Sequence, residues 1–191
     1  MTLDEIVEDY IRYERPGARE EMQEFADEDS LSAAIRRAAL CKTKDGKRHQ
    51  HQRRIPGELL EDVEARLQSI RRKLSNAKNF AVLHDFIENE IGELKGIGEL
   101  TAYDIAHRIG ASLRKSPTLV YLHRGTREGA AILGFRGRTL DSAMLPAAFS
   151  RLTPAEIEDC LCIYKNELRS EANRPRRKAG CGIPLHRRRL C

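Results

Sequence analysis

The 191-residue chain has no tryptophan, and aromatic residues make up only 5% of it. It also lacks the succession of short β-branched runs that a sandwich or barrel needs to pack its pleated faces. Only residues 118–122, TLVYL, look strand-like, and Ser116-Pro117 ahead of them is also a good helix start. No apolar run is long enough to span a membrane. The first residues carry Asp4, Glu5, Glu8 and Asp9, where a signal peptide would be basic and then apolar. These absences lead to the expectation of a cytoplasmic protein with reduced thiols and no membrane partner.

What is abundant is charge. Asp, Glu, Lys and Arg make up 33% of the chain, which with few aromatics suits helices with large solvated faces. The formal net charge of +5 is unevenly spread. Residues 1–30 hold eleven acids against three bases, whereas residues 31–55 and the stretch after Asn173 are strongly basic. Basic runs of this kind favour polyanionic partners, because Lys and Arg release counterions on binding.

The expected architecture is all-α: a multi-helix domain built around a helical hairpin, with a basic loop and a basic C-terminal tail. Residues 1–40 read as an acidic N-terminal helical cap. Its first helix ends before Pro16-Gly17, its second covers residues 20–26, and its third is capped by Ser30 or Asp29. That acidity could let the cap fold back over a basic surface and compete with DNA. Residues 41–55 form an exposed basic loop containing Arg53 and Arg54, both suited to phosphate contacts. Residues 56–170 form the main domain. Leu60, Val63, Leu67, Ile70 and Leu74 mark one long helix opened by Pro56. Thr153-Pro154-Ala155-Glu156 is a capping box with proline at the first helical position, followed by a buried stripe of Ile157, Cys160, Leu161, Tyr164 and Leu168. Residues 171–191 read as a disordered basic tail.

The stretch around which the rest is organised is residues 91–113, IGELKGIGELTAYDIAHRIGASL. Leu83, Phe86, Ile87, Ile91 and Leu94 recur at helical spacing before it, and Ala102, Ile105, Ala106, Ile109 and Leu113 recur after it. Between them Gly96 and Gly98 flank Ile97, with Lys95 before and Thr101-Ala102 beyond. Glycine there tolerates positive φ and allows close backbone approach, and Ile97 plugs the gap between the two helices.

This pattern resembles the helix-hairpin-helix motif of DNA-binding and DNA-repair proteins. The resemblance implies that the amides of Gly96, Ile97 and Gly98 and the second helix's N-terminus near Thr101 hold a DNA phosphate without reading sequence. Glu99 departs from the pattern. An acid there suits a helix N-terminus but repels phosphate. Lys95 compensates in part; no cofactor is expected, although a monovalent cation at the hairpin could relay the contact. A second anion-binding segment is read at Arg124-Gly125-Thr126-Arg127, with Thr126 as the N-cap of a helix ending at Gly134. The segment should lie beside the hairpin and hold a second phosphate.

The arrangement also resembles the helix-hairpin-helix DNA glycosylase superfamily, with Val120-Tyr121-Leu122-His123 in place of that family's Val-Asp-x-His-type segment. The catalytic aspartate position falls at Tyr121 and the lyase lysine position at Leu100, so neither chemistry is expected. A third resemblance, from Cys41 to about Leu168, is to a group of small bacterial proteins without established activity. They share the runs Lys47-Arg48-His49-x-His51-Gln52-Arg53-Arg54 and Tyr121-Leu122-His123-x-Gly125-Thr126-Arg127. The functional expectation is sequence-nonspecific DNA binding in repair or processing, without catalysis. The alternatives are an enzyme acting on DNA through His123, Asp104, Asp141 and His107, or a protein-interaction module. No metal site is expected. Cys41, His49 and His51 lack a fourth ligand, and Cys160-x-Cys162 points to two faces of one helix.

Overall fold

The computed structural model describes residues 1–49 and 52–172. The expected basic tail, including Cys181, His186 and Cys191, lies outside the described residues. Ten α-helices and one two-stranded sheet are found among the described residues, and no described helix is long and apolar enough to cross a membrane.

Local chemistry sets most helix starts. Helix α1 (Leu3–Tyr13) opens with a capping box in which Thr2 and Glu5 satisfy each other's backbone amides. Helix α2 (Arg15–Ala26) begins five residues earlier than expected. Pro16 does not separate two helices; it sits in the first turn, where its missing N–H costs nothing. Ser30 caps α3 (Leu31–Ala39). The single helix expected after Pro56 is two, α4 (Gly57–Ser69) and α5 (Arg71–Ser75), because Ile70 leaves the helical region at φ −99°, ψ 12°. Asn79 caps α6 (Phe80–Ile91), and Gly98 opens α7 (Glu99–Ser112).

Beyond the hairpin, β1 (Val120–Tyr121) pairs antiparallel with β2 (Thr139–Leu140), in the register Val120 to Leu140 and Tyr121 to Thr139. Between the strands lies α8 (Arg124–Ile132), which ends two residues before Gly134. The capping box expected at Thr153 opens α9 (Pro154–Ile163), and Tyr164 separates it from α10 (Lys165–Ala172). The stripe Ile157, Cys160, Leu161, Tyr164 and Leu168 is buried as the spacing requires.

Two apolar cores result. One is built from α2 to α7 and contains Phe25, Ile35, Leu60, Leu83, Ile87, Ile97 and Ile105. The other joins α1 to β1, α8, α9 and α10 through Ile6, Val7, Tyr10, Val120, Leu161 and Leu168. Residues 1–40 therefore supply buried side chains to both cores. Their charges are paired within the chain: Glu28 with Arg37, Glu21 with Arg108 and Glu8 with Arg151, while their bases Arg15 and Arg19 both meet Glu156 of α9.

Two contacts position the site. Gly96 needs glycine for its φ of +107°, and a Cβ there would lie 3.0 Å from Leu59 Cδ2, so the hairpin turn lies directly on α4. Helix α8 meets α9 more closely still. A Cβ on Gly129 would lie 2.1 Å from the Leu161 carbonyl oxygen, so only glycine allows the two backbones to touch.

Candidate nucleic-acid interface

Gly98 caps α7 in an extended conformation, φ −101° and ψ 170°, and provides no side-chain cap. The first amides of α7 therefore have neither an intrahelical acceptor nor a capping side chain. A Cβ on Gly98 would meet nothing within 4 Å, so the approach to this helix end is open. The two hairpin glycines thus have different roles: positive φ and close approach belong to Gly96 alone. Two expected contact residues are also reassigned. Ile97 is a core residue, and its amide donates to the Leu94 carbonyl at 2.9 Å. The Thr101 side chain is buried. Lys95 is exposed.

The N-terminus of α8 likewise has no side-chain cap, and its N-cap is His123. Thr126 is the third helical residue and fully buried, so it is not the N-cap. Its hydroxyl donates to Glu158 Oε1 at 2.6 Å and cannot face a phosphate. Gly125 packs on α9, where a Cβ would lie 2.6 Å from Cys162 Sγ. Arg124 is exposed. The Arg127 guanidinium pairs with the Glu99 carboxylate, both side chains being roughly half-exposed. That ion pair makes the first turns of α7 and α8 neighbours. Arg53 and Arg54 are exposed, and no hydrogen bond or ion pair joins them to the hairpin among the described residues. The basic loop is not wholly exposed, because Cys41 and Gln52 are buried.

Beneath the two helix ends lies a polar cluster. His123 packs against Glu158 through Nε2 and contacts the Thr126 hydroxyl at 3.3 Å. Its ring lies 5.7 Å from that of Tyr103, which stacks on His107 at 5.8 Å. Gln52 Nε2 donates to Asp104 Oδ2 at 2.5 Å and ties the basic loop to α7. Burial pushes the Asp104 carboxyl up to about 6, although Arg108 offsets part of the effect. Burial also pulls His107 down to about 4. For His123 burial acts downward, but the hydrogen-bonded Glu158 carboxylate prevails and its pKa is raised. Asp159, whose Oδ2 accepts from the Tyr10 hydroxyl at 3.3 Å, is pushed up to about 7, chiefly by burial.

Of the four side chains considered for catalysis, His123 and His107 lie against the Tyr103 ring, and Asp104 interacts electrostatically with His123. Asp141 is elsewhere: it is exposed and caps a short 3-10 turn by accepting from the Ala143 amide. Tyr121, where the glycosylase resemblance implied an aspartate position, lies in an aromatic cluster, 4.7 Å from the His84 ring and 5.4 Å from those of Phe80 and Tyr103. Leu100 is partly buried in the first turn of α7. The functional expectation overlooked Glu158 and Gln52. Neither carries a local signal, but Gly125 and Gly129, four apart, marked the face of α8 that brings Glu158 close. Compared with known proteins, the chain matches no family model, no curated protein and no solved structure.

Proposed function

We propose that the chain binds the sugar–phosphate backbone of DNA without reading sequence, in a role in DNA repair or processing. The observation carrying this reading is the adjacency of two helix N-termini without side-chain caps, α7 at Gly98 and α8 at His123, linked by Glu99 and Arg127. Free amides and aligned peptide dipoles at such ends favour anions. Two ends side by side suit successive phosphates of one strand. Lys95 and Arg124 flank the ends and add sequence-independent charge.

The test is fluorescence anisotropy with labelled single-stranded, duplex and nicked DNA of several sequences over a salt series. The expected result is similar affinity across sequences, with log affinity falling linearly in log salt. Lys95→Glu and Arg124→Glu should each weaken binding while the rest of the chain, including its basic C-terminus, is unchanged. No binding at low salt, or identical binding by both variants, would overturn the proposal.

A second reading, catalysis on DNA, is favoured by one observation: Asp104 and His123 share a partly buried cluster and Asp104's pKa is displaced toward neutrality. Incubating end-labelled DNA with the protein tests it. Product formation that Asp104→Asn abolishes would support catalysis.

A further inference from the structure

We propose that His84, Asp85 and Glu88 of α6 form a binding site for a divalent transition metal ion. Their ligand atoms, one from each side chain, all lie within 4.8 Å of one another. His84 and Glu88 are four residues apart and share one face of the helix, while Asp85 reaches in from the adjoining position.

The histidine gives the cluster its character. His84 is 6% exposed, yet its imidazole makes no hydrogen bond or ion pair to any described residue. A ring nitrogen on this buried side chain, close to two carboxylates and without a hydrogen-bond partner among the described residues, is available as a ligand. Its orientation is fixed by packing against Tyr121 at 4.7 Å, Phe80 at 6.2 Å and Tyr103 at 6.3 Å between ring centroids.

Ligand chemistry selects the class of ion. One nitrogen and two carboxylates suit zinc, cobalt, nickel or manganese, whereas magnesium and calcium prefer all-oxygen shells. Metal–ligand bonds of about 2.1 Å in tetrahedral geometry place ligand atoms about 3.4 Å apart. Closing from the observed spacing requires movement mainly of the exposed Asp85 and partly exposed Glu88, because the imidazole is held in place. Arg138 is the competitor. Its guanidinium, 70% exposed, pairs with Glu88 Oε1 at 2.5 Å. A surface pair of this kind contributes little, so a dication can displace it.

The test is titration of the full chain with Co²⁺ and Zn²⁺, followed by calorimetry and, for Co²⁺, by visible absorption. Other His and Cys residues in the sequence can also take metal, so the site is counted by difference. His84→Phe keeps the ring packing and should remove one equivalent. Asp85→Asn, at an exposed position, should weaken that equivalent roughly 10-fold or more. Arg138→Ala should tighten it. The proposal is overturned if the wild-type chain shows no saturable binding, or if Asp85→Asn and a folded His84→Phe both titrate like wild type. Should His84→Phe lose its helical circular dichroism, Asp85→Asn decides alone.

Discussion

Replacing Glu99 with glutamine should strengthen DNA binding, and the expected size follows from the geometry. Glu99 is the first residue of α7 and holds Arg127 of α8, with the two side chains 48% and 42% exposed. At such exposure the pair contributes at most about 1 kcal/mol to folding, so the variant should melt close to wild type. For the ligand, Glu99 adds a negative charge where the helix amides attract a phosphate. Two unit charges at about 6 Å repel by roughly 0.7 kcal/mol at a dielectric constant of 80 and about 2.8 kcal/mol at 20. Screening in 0.1 M salt favours the lower part of that range. The substitution also frees Arg127 to pair with phosphate. A gain of about 1.4 kcal/mol, or roughly tenfold in affinity, is expected. One more cation engaged should steepen the slope of log affinity against log salt by about 0.9. Anisotropy titrations of both proteins from low to moderate salt measure the two quantities. If affinity and slope are unchanged in a folded Glu99→Gln chain, phosphate does not sit at this helix end.

Further expectations concern the glycines and the polar cluster. Gly98→Val has open space and a permissive backbone, so it should cost no more than about 1 kcal/mol of stability; by filling the approach to the α7 amides it should weaken DNA binding roughly tenfold, and undiminished affinity would remove the hairpin from the interface. Gly129→Ala should destabilise the fold by about 3 kcal/mol or more, because its Cβ would lie 2.1 Å from the Leu161 carbonyl oxygen; a near-wild-type melting temperature would contradict the close α8–α9 contact. Asp104 binds its proton more tightly when folded, with a pKa raised to about 6 from an unfolded value of about 4. The penalty for ionising it is therefore absent below pH 4, grows between pH 4 and 6, and is constant above. Asp104→Asn should accordingly gain about 2 kcal/mol over wild type on moving from pH 4 to pH 8, as read by urea unfolding; an equal stability difference at the two pH values would show that Asp104 titrates normally.

The helical class, most helix starts and both faces of the hairpin were legible in the sequence because they depend on neighbours within four residues. The capping box at Thr153, the Ser30 cap and the stripe from Ile157 to Leu168 are such local features. The hairpin's Ile97 was assigned an inward position by the same local logic, and it is buried in the core. Local reasoning erred where two local solutions compete. Pro16 can end a helix or open one, and Ile70 lies in an unbroken apolar rhythm that the backbone nevertheless interrupts. The candidate site depends on contacts with no local signature. Glu99 and Arg127 are 28 residues apart, Thr126 and Glu158 are 32 apart, and Gln52 and Asp104 are 52 apart. Residue type alone made Thr126 a cap and a phosphate ligand. The close α8–α9 packing instead turned its hydroxyl inward to Glu158, because a buried carboxylate needs donors and this hydroxyl, with the His123 ring, is within reach. Sequence by itself determined where this chain is helical and which faces are apolar. Only the tertiary structure decided which charges meet, because ion pairs and buried hydrogen bonds form between surfaces that helix packing brings together.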